Sequence, residues 1–129
     1  MIERWYFSAV CFLCLALFFC GCKQTGPRLV RVGGVITLDG QPVVDAIIHF
    51  TPIDGGRGSY ARTDETGRYA LQFLPGQPGA TPGIHRIFIS TADESGGSET
   101  VPARYNQKTE LTATVNPRDA TIDFPLETP

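Results

Sequence analysis

The sequence predicts an all-β protein, a β-sandwich of seven antiparallel strands that follows an N-terminal signal helix. All ten prolines and thirteen of the fourteen glycines lie at or after residue 26, a density that disfavours helices. In the same region, short apolar segments alternate with turn sequences at fairly even spacing, which is typical of two packed antiparallel sheets. Residues 5–19, in contrast, form one apolar run.

This apolar run ends at Gly21-Cys22, and polar sequence begins at once. The run is short for a membrane span, which needs ~20 apolar residues. Phe19-Cys20-Gly21-Cys22 resembles the lipobox of bacterial lipoproteins, in which a peptidase cuts before a lipidated cysteine and requires a small residue before the cut. The resemblance implies lipidation at Cys22, a signal peptide over residues 1–21 and a tether over residues 22–29. An uncleaved signal anchor is the alternative.

Both alternatives place the domain, residues 30–127, in the cell envelope, where it faces the periplasm or the cell exterior. All four cysteines lie between residues 11 and 22, so the domain has no disulfide and its core must suffice. The formal net charge is −2, and charges of both signs are interspersed. Nucleic acid is therefore not expected as a partner, because it calls for a basic patch.

The seven predicted strands cover residues 30–38, 43–51, 60–63, 68–73, 84–91, 111–115 and 120–126. In the first strand, Gly33-Gly34 predicts a bulge or bend. In the second strand, the alternation predicts one shared face for Val44, Ala46, Ile48 and Phe50.

Two turns are predicted from their side chains. Asp39-Gly40 forms a tight turn, because glycine accepts positive φ at little cost. In the turn from Asp64 to Gly67, the carboxylate can accept backbone N–H bonds and the glycine allows the chain to reverse. Tyr69 then turns into the core as the first aromatic residue of its strand. These residues are predicted to have structural roles.

Several segments together resemble carboxypeptidase regulatory-like domains. They are VITLDGQPV at 35–43 followed by DAIIHF at 45–50, TDETGRY at 63–69, PGIHRI at 82–87 and VPARY at 101–105. The resemblance covers roughly residues 32–126. It implies a seven-stranded sandwich like that of transthyretin (prealbumin) and a domain that carries no catalysis itself. A fold does not supply a function.

The candidate chemical groups form no known catalytic or metal-binding pattern. His49 and His85 open no zinc motif and are expected on strand faces. Ser59 is predicted to lie in a glycine-rich loop but lacks the flanking pattern of a hydrolase nucleophile. Three carboxylates fit no calcium loop and predict a solvated acidic segment: Asp93, Glu94 and Glu99. We therefore expect no catalytic residue, no metal and no cofactor.

Two functions follow. The first is a lipid-anchored structural or interaction module of the cell envelope, with the membrane and envelope proteins or glycans as partners. The alternative is a small-ligand or carbohydrate-binding module on the cell surface. A contiguous exposed patch that contains Tyr60, Phe88 or Tyr105 would favour the alternative, because sugars bind on aromatic platforms.

Overall fold

A computed structural model of the chain describes residues 21, 26–92, 94, 96–118 and 120–129. Over these residues the protein is all-β, with eleven strands in two sheets and one 3₁₀ turn at Ala103–Tyr105. The predicted signal helix and Cys22 lie outside the described residues. No helix in the described part of the chain is long and apolar enough to cross a bilayer.

The first sheet has five strands, which are β1 (Val32–Leu38), β2 (Gln41–Pro42), β5 (Arg68–Ala70), β10 (Ala120–Thr121) and β11 (Phe124–Leu126). The second sheet has six, which are β3 (Ile47–Pro52), β4 (Ser59–Arg62), β6 (Gln72–Leu74), β7 (Gln77–Pro78), β8 (Gly83–Ser90) and β9 (Thr112–Val115). Their order across the second sheet is β7-β6-β4-β3-β8-β9, and all pairs in it are antiparallel.

Strand β1 occupies the centre of the first sheet. It pairs antiparallel with β2 and β5 along one edge and parallel with β10 and β11 along the other. The parallel pairing corrects the prediction of a wholly antiparallel fold. It arises because the final segment reaches β1 from the second sheet by a crossover, so that it runs in the same direction as β1 and not back along it as in a hairpin.

Two of the predicted strands are divided, which raises the strand count above seven. The predicted strand 68–73 changes sheets at Leu71, because Tyr69 pairs with Gly34 of β1 whereas Gln72 pairs with Tyr60 of β4. The final strand is interrupted at residues 122–123. There the Oδ1 atom of Asp123 accepts the Val35 N–H at 2.9 Å in place of a backbone carbonyl.

The predicted strand 43–51 begins only at Ile47. Asp45 has a φ of 58°, which breaks the strand and its alternation. Val44 is consequently 48% exposed, whereas Ala46, Ile48 and Phe50 are fully buried. The shared face predicted for these four residues is therefore wrong for Val44 alone.

The two predicted bulge glycines are regular residues of β1. A Cβ atom on Gly34 would lie 2.0 Å from the carbonyl oxygen of Ile122, and one on Gly33 would lie 2.8 Å from that of Tyr69. Their function is close approach between backbones, so that both neighbouring segments can lie against β1.

The two sheets pack against each other through one apolar core, an arrangement consistent with a β-sandwich. At its centre, Phe50 of the second sheet contacts Tyr69 and Phe124 of the first, with ring centroids 6.4 and 6.0 Å apart. Edge-on and tilted ring contacts of this kind stabilise beyond the area they bury. The core therefore joins segments that are far apart in sequence.

Candidate functional site

The turn at Asp39-Gly40 holds the C-terminal end of the chain. Both residues have positive φ, 50° and 82°, which is the geometry of a two-residue hairpin. The Asp39 carboxylate accepts the Thr128 N–H at 3.0 Å and the Thr128 hydroxyl at 2.8 Å. These bonds, the backbone one first, lower the pKa of Asp39. The two carboxylate oxygens of Asp39 therefore have a structural role, because they hold Thr128 against the turn.

In the second predicted turn, from Asp64 to Gly67, the aspartate carboxylate bonds within the turn itself. Oδ1 of Asp64 accepts the Thr66 hydroxyl at 2.7 Å, the Thr66 N–H at 2.8 Å and the Arg68 N–H at 3.1 Å. These hydrogen bonds, the hydroxyl first, lower the pKa of Asp64. Gly67 has a φ of 77°, and a Cβ atom on it would lie 2.6 Å from the Ile36 carbonyl oxygen. Only glycine suits this position.

Tyr69 is buried between the sheets, and its hydroxyl donates to the carbonyl of Ile122. Burial first, and then the negative charge of Asp123, raise the pKa of its phenol above its ordinary value. The hydroxyl is therefore a neutral structural donor.

The two histidines lie on opposite faces of the second sheet. His49 is exposed on β3, and partial burial lowers its pKa. His85 is buried on β8, where its Nε2 atom contacts the Thr81 carbonyl oxygen at 2.7 Å and its ring packs 5.7 Å from Phe50. Its Nδ1 atom has no hydrogen-bond partner among the described residues.

Ser59 is the first residue of β4 and is buried, so the loop predicted for it is wrong. Its hydroxyl has no hydrogen-bond partner in the described part of the chain. Ser59 and His85 stand on opposite sides of β3, about two strand spacings or ~10 Å apart. They cannot form a nucleophile–base pair, which needs hydrogen-bond contact.

Of the predicted acidic cluster, Asp93 lies outside the described residues and Glu94 is exposed. Glu99, predicted to be solvated, is exposed, and its carboxylate also binds a neighbouring turn. Its carboxylate accepts hydrogen bonds from the Ser90 hydroxyl, the Thr91 N–H and hydroxyl, and the Val101 N–H. No three His, Cys, Asp or Glu side chains within the described ranges are grouped so that they could hold a metal ion.

A surface groove of about 760 Å³ runs over Gly33 and Gly34. Most charged side chains at the rim of this groove already bind other parts of the protein. Arg62 pairs with Asp45 at 2.9 Å, Asp64 closes its own turn, and Asp123 accepts from β1. The groove therefore offers few free groups for chemistry.

The outer face of the second sheet carries a row of rings that we call the outer aromatic row: Tyr60, His49 and Phe88. They lie on three neighbouring strands, because His49 pairs directly with Tyr60 on one side and with Phe88 on the other. The His49 and Phe88 rings meet edge to face with centroids 5.8 Å apart. Tyr60 is 41% exposed, and Phe88 is half-buried.

Polar groups border this row. Gln72 stands opposite Tyr60 on the far side of β4. Beyond Phe88 lies a cleft of about 260 Å³, to which Glu99 and Gln107 contribute polar atoms. Rings flanked by hydrogen-bonding side chains are the arrangement that binds the apolar faces and hydroxyls of small polar ligands.

Sequence reasoning named Tyr60 and Phe88 as candidates but missed that His49 joins them. The only signal was that residue 49 falls on the face opposite to the one predicted for Ala46, Ile48 and Phe50. Tyr105, the third candidate, lies apart from the row and contacts the C-terminal segment through its hydroxyl. No protein-family model matches this chain, and no curated protein matches it.

Proposed function

We propose that the chain is a bacterial lipoprotein, lipidated at Cys22, whose domain over residues 30–127 is a structural or interaction module of the cell envelope. In this proposal the domain is a carboxypeptidase regulatory-like, transthyretin-like sandwich and is not an enzyme. The observation that carries the proposal is Gly21-Cys22 at the end of an apolar run, followed at once by polar sequence.

The arrangement of strands supports the domain type. β5 with β6, and β10 with β11, are the divided halves of single predicted strands. When each pair counts once and the two-residue strands β2 and β7 are set aside, seven strands remain in two sheets. The resemblance motifs at residues 35–43 and 63–69 contain the turns at Asp39-Gly40 and at Asp64–Gly67, whose carboxylates accept hydrogen bonds from Thr128 and from Thr66.

The lipid would supply the attachment energy. Each buried CH₂ contributes ~0.8 kcal/mol, so a single chain binds reversibly whereas two or three hold firmly. The tether over residues 22–29, which is polar from Lys23 to Arg28, would then separate the domain from the bilayer.

Substitution of the acceptor cysteine tests the anchor. In cells, Cys22→Ala should accumulate as an unprocessed precursor or leave the detergent phase. Cys20→Ala is the matched control and should be processed normally, because Phe19 before Cys20 is too bulky for the peptidase pocket. Intact mass should place the mature N-terminus at a lipidated residue 22. Normal processing and partitioning of Cys22→Ala would refute the proposal.

The outer aromatic row favours a second candidate, a glycan-binding module on the cell surface. It meets the criterion of a contiguous patch that includes Tyr60 and Phe88. Sugar rings stack on such side chains, and the bordering Gln72 and Gln107 can bond hydroxyls. Its partly edge-on geometry suits a shallow, weak site.

Binding of the full chain to envelope polysaccharides separates these two candidates. Under the glycan proposal, Tyr60→Ala should abolish retention on the polysaccharide. The control is Ile84→Ala, which alters another exposed apolar residue, 53% accessible, on the same face but outside the row. Equal retention of both variants would refute the glycan candidate and leave the anchored interaction module.

A further inference from the structure

The last strand of the second sheet has an open edge. β9 pairs with β8 on one side, and no strand among the described residues pairs with its other side. Its sequence, Thr-Ala-Thr-Val, contains no charge and no proline. Natural proteins usually protect sheet edges with charged residues or prolines, with bulges or with covering segments, because a free edge accepts another strand.

The register identifies which backbone groups are open. The Ile87 N–H donates to the Leu111 carbonyl at 2.8 Å, so residues 111, 113 and 115 direct their hydrogen bonds towards β8. Thr112 and Thr114 therefore present their N–H and C=O groups outwards. Both residues are exposed, and these groups have no partner in the described part of the chain.

We propose that β9 pairs antiparallel with β9 of a second copy of this chain, about a twofold axis at Ala113. In this register Thr112 faces Thr114 of the second copy, and the reverse. The two threonine pairs exchange four hydrogen bonds, which satisfy every open backbone group of both strands. Ala113 faces its own equivalent in the close, non-hydrogen-bonded position, where a small side chain fits well.

The side chains on the outer face complement themselves in the same register. Two Thr–Thr cross-strand pairs form, a combination that stabilises sheets. Glu110 lies before the strand and Arg118 after it, and both are exposed. Neither has an ion-pair partner within the described ranges. The antiparallel register brings the strand end that follows Glu110 in one copy to the strand end that precedes Arg118 in the other, so charges of opposite sign flank each end of the pair.

The pairing should be weak in dilute solution. A four-residue edge buries much less than the roughly 1,200 Å² of a stable interface. Confinement of both copies on one membrane would raise their effective concentration. This last point rests on the proposed anchor, whereas the pairing geometry does not.

Cysteine cross-linking of the full chain in membranes tests the register. Ala113→Cys should give a covalent homodimer under mild oxidant, because facing non-hydrogen-bonded positions match disulfide geometry. Thr112→Cys alone should give only the background of the unsubstituted chain, because its equivalents are offset beyond about 7 Å. Thr112→Cys mixed with Thr114→Cys should restore the dimer. The unsubstituted chain controls for the cysteines before residue 23.

Two further variants test the cause. Thr114→Pro removes an outward N–H without touching the β8 ladder, so when it is combined with Ala113→Cys the cross-link should be lost while circular dichroism is unchanged. Glu110→Arg should weaken the cross-link, and the exchange Glu110→Arg with Arg118→Glu should restore it.

Equal cross-linking at positions 112 and 113, cross-linking to a different protein, or none at all would each overturn the proposal. Loss of the Cys22 anchor would not, provided that the dimer forms in concentrated solution.

Discussion

The Tyr69 hydroxyl donates a hydrogen bond to the carbonyl oxygen of Ile122. These residues lie on opposite flanks of β1, so the bond ties the antiparallel neighbour β5 to the interruption between β10 and β11. It thus fixes the final segment at the point where its ladder with β1 is broken.

Removal of this hydroxyl should therefore destabilise the fold. Tyr69→Phe keeps the ring packing but leaves a partly buried carbonyl without its donor, and we expect a loss of about 1–2 kcal/mol in the free energy of unfolding. Urea denaturation at pH 7 measures it. Tyr60→Phe is the control, because Tyr60 is an exposed residue of the outer face, and it should leave the midpoint unchanged.

The phenol of Tyr69 also predicts a loss of stability in alkali. Burial and the Asp123 charge raise its pKa in the folded state, whereas in the unfolded chain it ionises near its ordinary value of 10.0. The unfolded chain therefore releases a proton that the folded chain keeps, and stability falls as the pH rises above about 10. Tyr69→Phe should reduce this fall, as measured by denaturation between pH 8 and pH 11. An identical slope in both proteins would contradict the assignment.

Tyr69 was predicted to turn into the core, and it is buried there together with Leu71 and Phe73, which follow the same alternation. The same pattern could not reveal the change of sheet at Leu71, because side chains alternate identically whichever strand lies alongside. Strand direction was equally inaccessible. A period of two does not say whether the final segment runs parallel or antiparallel to β1.

The candidate site was predictable only in its parts. Tyr60 and Phe88 were recognisable as aromatic residues on separate strands, but their union through His49 depends on a register fixed by pairing between distant segments. The prediction for Val44 was wrong for a local reason. The positive φ of Asp45 breaks the strand there, and the sequence gives no clear signal for it. The hydrogen bonds of Glu99 were not predictable, because donors such as the Thr91 N–H lie across a loop.

The close approach at Gly34 predicts a severe effect of one methyl group. A Cβ atom there would lie 2.0 Å from the Ile122 carbonyl oxygen, which is backbone and cannot rotate away. Gly34→Ala should cost about 3 kcal/mol or more, because β1 and the final segment must separate. Thermal unfolding measures the loss. Gly26→Ala is the control, since no atom lies within 4 Å of its added methyl group, and a comparable shift there would refute the explanation.

The hydrogen bonds of Glu99 predict that acid lowers the stability of the protein, because they hold the turn before the 3₁₀ segment. Burial acts to raise its pKa, but the bonds from Ser90, Thr91 and Val101 outweigh it and lower the pKa. Stability from this carboxylate is therefore present above its unfolded pKa and is lost as the pH falls through the lower folded value.

Glu99→Gln should remove about 1 kcal/mol at pH 7, a modest amount because the carboxylate is largely exposed to solvent. It should also flatten the pH dependence of stability between pH 5 and pH 3. Denaturation curves across this range measure both effects. Glu65→Gln is the control, because Glu65 is exposed and makes no such contacts, and its curves should follow the parent.

Two substitutions of His85 should differ strongly in their effect on the free energy of unfolding. Its ring fills the core beside Phe50, but its Nδ1 atom is buried without a hydrogen-bond partner in the described part of the chain. In His85→Phe, loss of the Thr81 bond is offset by relief of this unsatisfied atom, so stability should change by less than about 1 kcal/mol. His85→Ala keeps neither bond nor packing and should cost about 3 kcal/mol through the cavity it leaves. Calorimetry of both variants decides the matter, because a large loss in His85→Phe would mean that the bond to Thr81, and not the ring, stabilises this part of the core.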